Sequence, residues 1–518
     1  MEKKDKLNKN AIGFWEVVFY AIAVIFLPGT FAVTGDVAMT FAREVTHLPF
    51  LIGGVTLFFA IIYDVVIVGG GNAGLVAAIT SAENGAKTLL LESAPKLDRG
   101  GNTKHTRDIR YAHSDDRFTS GVYPKNELLN DLRKVSKDFD EKIAASVIDD
   151  SESVPYWMEH HGIKFKKEIR GTLSLSRTNA FFLGGGKALV NTYYREAERL
   201  GVKILYNAQV FDFSIKDNRC KSIQFTLDGQ AQEVYSDSVI IASGGFEANL
   251  EKLKQIWGDA ANNFSIRGTK YNTGIPFQSL VDKGAKVAGD PKGGHMIAVD
   301  ARAPKFDGGI VTRIDAIPIG IVLNRKGIRF YDEGEDIWPK RYAIWGHLIA
   351  EQPEQIAYVI VDSKMLEDFL PTAYPAYTSN DLRELFEILK LPIDVSINTI
   401  KVYNEKVVDC SFDISKLDDC HTSGLQPPKS HWARRIDKGP FYAFPLRPGL
   451  TFTYLGLKVD QEGRVQTSDG EFENVYAAGE VMSGNILTYG YLAGFGLTIG
   501  TVFGIRVGNV ATGKRHYS

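Results

Sequence analysis

The most constraining feature of this sequence is a glycine-rich turn between a buried strand and a helix. An apolar, β-branched run at residues 63–68 predicts a strand of a parallel sheet. A G-x-G-x-x-G pattern, a helical stretch, a second apolar strand and an acidic residue then follow without a gap. In chain order these are Gly69 to Gly74, residues 75–84, residues 87–91 and Glu92. This order predicts the first unit of a Rossmann-like α/β domain.

The residue types in this unit fit a bound dinucleotide. The glycines permit a tight turn, close approach of the backbone to a pyrophosphate, and close packing of helix on strand, at Gly69, Gly71 and Gly74 respectively. The first helical amides, at Asn72 and Ala73, would face the phosphate charge. Glu92, which precedes Ser93, would accept hydrogen bonds from a ribose diol and would repel a 2′-phosphate.

Three later segments favour a flavin over a nicotinamide cofactor. Gly101, Asn102 and Thr103 follow the second strand, where an isoalloxazine ring needs small residues and amide donors. Two further buried strands end in glycines, one at Gly244 and one at Gly479-Glu480. A chain that returns to its nucleotide domain after a long insertion is typical of flavoproteins. The remaining predicted cofactor contacts are Gly186, Gln209 and Val210.

Charge and cysteine content exclude several classes of protein. Lys and Arg number 60 and Asp and Glu number 62, so the net charge of −2 argues against a nucleic-acid binder. The sequence has three cysteines, Cys220, Cys410 and Cys420, and no two of them form a CxxC motif. Neither a cysteine-ligated iron–sulfur cluster nor a c-type haem is therefore expected. We expect unpaired thiols in a reducing compartment. His421 has no further ligands at metal-site spacing, so no metal is expected.

The first 62 residues form an apolar leader with two uncharged stretches, Val17 to Gly35 and Leu48 to Tyr63. A two-span anchor would keep the catalytic domain cytoplasmic, attached to the inner face of the membrane. A signal peptide would need a small-residue cleavage site, which is not evident. The third interpretation is that the leader is foreign to the enzyme. We favour it because the second uncharged stretch leads directly into a predicted strand, and a membrane span would need a linker before that strand.

Several segments together resemble the fumarate reductase/succinate dehydrogenase flavoprotein family. The resemblance covers residues 63–518. The segments that carry it are the glycine-rich cradle, GNTKHTR from Gly101, GGGKALV at 184–190, NRKGIRFYDEGEDIWPKRYAIWG at 324–346, FYAFPLRPGLTFTYLGLKV at 441–459 and VYAAGEVMSGN at 475–485.

The resemblance implies a discontinuous Rossmann-like FAD-binding domain with an inserted α+β capping domain. We place the FAD-binding segments at 63–290 and 446–518, and the capping domain at 291–445. Respiratory members of the family bind FAD covalently through a histidine, and Asn102 stands at that position here. The resemblance therefore implies noncovalent FAD, with His105 as a polar residue near the cofactor.

The chemistry implied by the resemblance is hydride transfer between flavin N5 and a carbon beside a carboxylate, coupled to transfer of one proton. The family's proton-carrying arginine corresponds to Arg341. Its carboxylate-binding histidine corresponds to His295. Arg313 falls where the family has a relay glutamate, and Arg447 is a further cation for a third carboxylate. The chain departs from fumarate reductases at two substrate contacts, where Phe452 and Tyr491 replace a histidine and an arginine.

Within the family, the motifs are most similar to the tricarballylate dehydrogenase subgroup. The implied reaction is oxidation of tricarballylate to cis-aconitate. The alternative is reduction of an unsaturated carboxylate such as fumarate or urocanate. A 3-ketosteroid dehydrogenase would need an apolar slot and fits the arginines less well. The expected partners are a small anionic substrate and a separate electron-transfer protein, because only one nucleotide cradle is evident.

Overall fold

The computed structural model describes residues 62–166, 175–307 and 311–513. From Tyr63 onward the chain forms one compact unit. The leader lies outside the described residues, apart from Ile62 and Tyr63, which begin the first strand. Among the helices that the structure describes, none combines the length and the apolar character needed to cross a membrane.

Mixed α/β structure accounts for most of this unit, in agreement with the predicted fold class. In chain order the strands are β1 Ile62–Val68, β2 Thr88–Leu91, β3 Asp108–Arg110, β4 Phe165–Lys166, β5 Asn179–Phe182, β6 Lys203–Leu205, β7 Ala208–Lys216, β8 Arg219–Leu227, β9 Gln230–Ile241, β10 Ser265–Arg267, β11 Val287–Ala288, β12 Gly294–Asp300, β13 Phe306–Asp307, β14 Ile321–Asn324, β15 Ala357–Asp362, β16 Tyr377–Ser379, β17 Phe441–Thr453, β18 Gly456–Leu457, β19 Arg464–Thr467 and β20 Gly470–Ala477.

The helices pack on these strands or connect them. They are α1 Asn72–Glu83, α2 Lys125–Val135, α3 Glu141–Ser151, α4 Val154–His160, α5 Gly185–Arg199, α6 Leu250–Trp257, α7 Ile275–Asp282, α8 Trp338–Arg341, α9 Trp345–Ala350, α10 Leu382–Ile388, α11 Ile393–Lys406 and α12 Phe495–Ala511. Short 3₁₀ helices occupy Gly101–His105, Gly258–Asn263, Tyr342–Ile344, Pro353–Gln355 and Gly479–Asn485.

The nucleotide sheet has the order β19-β20-β9-β1-β2-β6, with β7 and β8 attached beside β9. Strand β2 is parallel to both β1 and β6, and β20 is parallel to β9. Val65 to Val68 and the whole of β2 are buried, as expected for parallel strands covered on both faces. Because β20 joins this sheet from near the end of the chain, the nucleotide unit is built from distant segments.

The second sheet has the order β13-β10-β17-β15-β14, with β12 and β16 also paired to β17. Its long central strand β17, Phe441–Thr453, runs across the predicted domain limit at residue 445. Strand β10 belongs to this sheet although it precedes residue 290. The predicted domain limits therefore do not coincide with the sheet boundaries, and they stay predictions.

Helix α12 packs closely against α1 through a line of glycines at positions 500, 504 and 508. A Cβ atom on Gly504 would lie 2.8 Å from the carbonyl oxygen of Ala73, and one on Gly508 would lie 2.8 Å from Cβ of Thr80. Asn72 adds a polar link, because its Nδ2 donates to Thr501 Oγ1 at 2.9 Å. The cradle helix is therefore held from behind by the last described helix.

The cysteines correct one prediction. Cys410 and Cys420 form a disulfide, with Cα atoms 5.2 Å apart, whereas Cys220 is a buried free thiol. The expectation of unpaired thiols at 410 and 420 is wrong because the intervening loop folds back and brings the two residues together.

Candidate active site

A cavity of about 330 Å³ is lined by residues from both large sheets and from the segments between them. Most of the predicted cofactor contacts lie on its wall. They are Gly69, Gly71, Asn72, Ala73, Glu92, Ser93, Gly101, Asn102, Thr103, Gln209, Val210, Gly244, Gly479 and Glu480. Gly74 and Gly186 do not line the cavity. Each allows close backbone packing behind it, since their Cβ atoms would lie 1.9 Å from Gly69 O and 2.2 Å from Thr103 O.

The cradle has the geometry that a diphosphate requires. Gly69 has φ +105°, a left-handed conformation that favours glycine, and it makes the turn out of β1. Gly71 precedes α1 and is open toward the cavity, because the nearest atom to a Cβ there would be Thr103 Oγ1 at 3.6 Å. The first helical amide, Asn72 N, donates to that hydroxyl at 3.0 Å. Open space in front of helical amides suits a phosphate group.

Glu92 is fixed at the end of β2 by three donors. Its Oε1 accepts from Ala94 N at 2.8 Å, and its Oε2 accepts from Gly70 N at 3.1 Å and from the Tyr194 hydroxyl at 3.3 Å. Burial raises the pKa of Glu92, and these hydrogen bonds oppose the increase. A carboxylate held in this way on the cavity wall fits the predicted contact with a ribose diol. Tyr194 was not predicted from the sequence.

Asn102 connects the turn after β2 to the rest of the cavity. Its Nδ2 donates to Glu247 Oε1 at 2.8 Å and to Thr451 O at 2.7 Å, and its Oδ1 accepts from Thr269 N at 2.8 Å. His105 also lines the cavity. Burial, followed by the positive charge of Lys104, lowers the pKa of His105 to about 4, so its imidazole is neutral at neutral pH.

Three arginines form a cationic cluster on the cavity wall: Arg107, Arg267 and Arg313. Arg313 is buried and pairs with Asp315 at 2.7 Å. Burial lowers the pKa of Arg267 to about 10, and the charge of Arg313 adds to this effect. Burial also acts to lower the pKa of Arg313, but Asp315 outweighs it and the pKa is raised. Guanidinium groups gathered in a cavity favour an anionic ligand, and they bind carboxylates bidentately.

Aromatic side chains hold His295 beside this cluster. Its ring stacks on Tyr491 at 4.3 Å and meets Tyr342 edge-on at 5.3 Å. Its Nε2 is buried and has no hydrogen-bond partner within the described ranges. Burial and the nearby arginines lower the pKa of His295 well below its usual value, so the ring is neutral. A neutral imidazole with one unsatisfied nitrogen is available to a ligand.

Tyr342 lies between the histidine and the cationic cluster. Its ring is 5.3 Å from the Arg313 guanidinium carbon, and the residue lines the cavity. Burial raises the pKa of the Tyr342 hydroxyl, whereas the charges of Arg313 and Arg267 act to lower it. With its pKa raised overall, the phenol is protonated at neutral pH and can donate to a ligand, and the nearby cations would stabilise the phenolate left behind.

Arg341, the residue predicted to carry the proton, does not line the cavity. It ends helix α8, and its Nε donates to Glu335 Oε2 at 2.8 Å while Nη2 donates to the Tyr331 hydroxyl at 3.0 Å. Arg447 is also outside the cavity, with Nη1 donating to Glu354 O at 3.0 Å. Each guanidinium is directed to a protein oxygen, and the roles predicted for the two arginines stay predictions.

Sequence reasoning missed several cavity residues. Arg107 and Tyr342 both stand inside segments that carried the family resemblance, the second directly after Arg341. Arg267 comes from the short strand β10, which has no recognisable motif. Glu247 follows a glycine pair, and that position could have drawn attention to it.

The candidate metal ligands lie apart from this cavity. The ligand atoms of Glu83, His160 and His161 lie within 4.8 Å of one another, but these residues do not line the cavity. His421 is exposed, and its Nδ1 contacts Asp419 O at 2.7 Å. That the chain uses no metal stays a prediction.

Comparisons with known proteins identify the kind of cavity this is. A family model described as an FAD binding domain matches residues 64–497. An NADH:fumarate oxidoreductase of Klebsiella pneumoniae (strain 342) is 26% identical over 462 residues, which cover 83% of this chain and 47% of that protein. A fumarate reductase (cytochrome) of Shewanella frigidimarina is 25% identical over 464 residues, covering 83% and 76% respectively. The chain spans about half the length of the first curated relatives it matches.

A solved structure shares the fold. The 3-ketosteroid-Δ4-(5α)-dehydrogenase from Rhodococcus jostii RHA1 superposes with a TM-score of 0.69 over 88% of this chain and 98% of its own, at 20% identity. At this level of identity, the likeness shows the fold alone.

Gly71→Val tests the cradle. The added side chain would project into the open space before α1 without meeting the protein backbone closely, since the nearest atom is 3.6 Å away. We therefore expect a folded protein whose FAD content falls to near zero, because the phosphates lose their closest approach. Absorbance of the purified protein measures FAD content, and circular dichroism measures folding. Full FAD occupancy in the variant would contradict the assigned cradle.

Proposed function

Since the chain belongs to the FAD-binding flavoprotein family, with FAD as its cofactor, we propose that it is an oxidoreductase acting on a carbon–carbon bond beside a carboxylate. The observation that carries this proposal is the cationic cluster, Arg107, Arg267 and Arg313, on the wall of the FAD cavity. A steroid would instead require an apolar slot. Fumarate-reducing relatives support the carboxylate chemistry.

The cradle would hold the FAD diphosphate at Gly71 and the first amides of α1, with Glu92 at the adenosine ribose. Bound FAD supplies the hydride donor and acceptor for the reaction. We further propose that it is held without a covalent bond. Asn102 has no nucleophilic atom, and its amide is engaged in three hydrogen bonds.

The chain's own residues bind the substrate and manage one proton. Guanidinium forks of Arg267 and Arg313 would fix the carboxylates and so orient the reacting carbons. Asp315 orients Arg313 and is itself held by Trp338 Nε1 at 2.7 Å. We assign the proton beside the carboxylate to Tyr342, because Arg341 lies outside the cavity. In reduction the Tyr342 hydroxyl would give its proton to the carbon and become a phenolate next to Arg313. In oxidation that phenolate would take the proton from the carbon. Neutral His295 would donate or accept one hydrogen bond.

The preferred substrate is tricarballylate, oxidised to cis-aconitate, because the cluster offers more cationic groups than a dicarboxylate needs. The alternative is reduction of fumarate or a similar unsaturated carboxylate, which the names of several relatives support. A separate protein would exchange electrons with the flavin in either direction, since the sequence has one nucleotide cradle. For the same reason, we do not assign nicotinamide binding to this chain.

Acid precipitation tests the noncovalent attachment. We expect trichloroacetic acid to release all of the yellow colour into the supernatant, because no protein–flavin bond has to break. Colour that remains in the washed pellet would show a covalent link, and peptide mapping would then examine His105 first.

A panel of carboxylates tests the substrate assignment. Under anaerobic conditions, tricarballylate should bleach the oxidised flavin, whereas succinate should do so only at higher concentration. Arg313→Lys keeps a cation beside Asp315 but loses the fork, so we expect half-bleaching by tricarballylate to need about tenfold more substrate or higher. The shift should be smaller for succinate. Bleaching by neither compound, with rapid reoxidation of reduced enzyme by fumarate, would instead favour the reductase alternative.

Tyr342→Phe and Arg341→Lys together test the proton assignment. Removing the hydroxyl should lower kcat and kcat/KM together by about 10²–10⁴, the range typical of a lost general acid or base, with FAD content unchanged. Arg341→Lys is the matched control at the adjacent position, and its kcat and kcat/KM should remain within a few-fold of the wild-type values. The reverse pattern would return the proton role to Arg341.

A further inference from the structure

Two carboxyl groups, Glu247 and Glu480, meet at the cavity wall. Glu247 follows β9 and is completely buried, and Glu480 lines the cavity at the start of a 3₁₀ helix. A Cβ atom on Gly245 would lie 2.3 Å from Glu480 Oε1 and 2.8 Å from Glu247 Oε2. Both oxygens therefore lie close to the same point beside Gly245, and each carboxyl group shifts the pKa of the other.

Hydrogen-bond donors satisfy only part of this pair. Glu247 Oε1 accepts from the side-chain amides of Asn102 and Asn272, at 2.8 and 2.7 Å. Glu480 Oε1 accepts from Thr453 N at 3.0 Å, and its Oε2 accepts from the Asn272 amide at 3.5 Å. Glu247 Oε2, which faces Glu480, is buried and has no donor within the described residues. A proton on one carboxyl group would fill the missing position.

Neither carboxyl group takes part in a salt bridge within the described part of the chain. The titratable side chains that face Glu480 are Tyr454 and Tyr491, and burial raises the pKa of both, so they are neutral. Asn102 and Asn272, which face Glu247, carry no charge. Two adjacent carboxylates in such surroundings cannot both ionise, so one proton is retained.

We propose that Glu247 and Glu480 hold one proton between them and take up a second one from solvent when the FAD is reduced. Reduction delivers two electrons and one proton to the flavin and so leaves added negative charge in the cavity. The additional proton forms an O–H bond on the pair and offsets that charge. The pair is thus a proton store coupled to the redox state, separate from the substrate proton assigned to Tyr342. The inference rests on FAD binding and does not depend on the substrate.

The pH range of the effect follows from burial. Desolvation raises the pKa of Glu247 to about 7, and desolvation together with the neighbouring Glu247 raises the pKa of Glu480 well above its usual value. Below about pH 7 the pair already holds both protons in the oxidised protein, so reduction adds none there. Above that pH the oxidised pair holds one proton, and added negative charge favours binding of the second.

The pH dependence of the flavin reduction potential tests this proposal without any substrate. Electrons are supplied by xanthine and xanthine oxidase, with a reference dye in equilibrium. In the wild-type holoenzyme, the fall in potential per pH unit should be about twice as steep above pH 7 as below it. Glu247→Gln keeps an acceptor for both asparagines and a donor toward Glu480, but it cannot take up a proton. Its plot should have the shallower slope throughout.

Asp212→Asn serves as the matched control, because Asp212 contacts Ser279 and Lys283 away from the cavity. This variant should keep the wild-type change of slope in the plot of potential against pH. If the change of slope persists in Glu247→Gln, the proposal is overturned, and His295 becomes the next group to test. Should Glu247→Gln lose FAD, the wild-type infrared difference spectrum between reduced and oxidised protein at about pH 8 decides. It should gain the C=O band of a protonated carboxyl group, and the absence of that band overturns the proposal.

Discussion

The approach of helix α1 to the strand before it is the contact on which the rest of the cavity depends. A Cβ atom at Gly74 would lie 1.9 Å from the carbonyl oxygen of Gly69, so only glycine lets the helix begin at this depth. That depth directs the first helical amides at the cavity and brings Gly70 N within 3.1 Å of Glu92. Overpacking a single position there would displace both groups that a dinucleotide needs.

The nucleotide half of the cavity was largely predictable because its signals are local. The turn, the helix start and the acid at Glu92 lie within one short stretch, and each residue type has a steric or electrostatic reason to be there. The cationic half is assembled from distant segments. Arg267 ends β10, Arg313 forms a bridge to strand β12, and Arg107 directly precedes β3 of a third sheet, so no spacing in the sequence encodes their meeting. His295 and Arg313 were predicted only by aligning the sequence with the motifs of the family.

Family register alone leaves the choice between Arg341 and Tyr342 open. They are neighbours where α8 ends and a 3₁₀ helix begins, and a step of one residue along a helix turns the side chain by about 100°. A motif aligned by eye across segments of unequal length does not resolve that step. The disulfide between Cys410 and Cys420 was missed for a similar reason, since composition alone says nothing about a loop that folds back on itself.

The dependence of α1 on α12 affects how the protein is made. The cradle is translated before the helix that supports it from behind, which spans Phe495–Ala511. Until then, the face of α1 that packs against the glycines of α12 has no partner. Stable cofactor loading therefore waits for α12. A message truncated before residue 495 would yield a polypeptide that contains every cradle residue and still lacks a stable place for FAD.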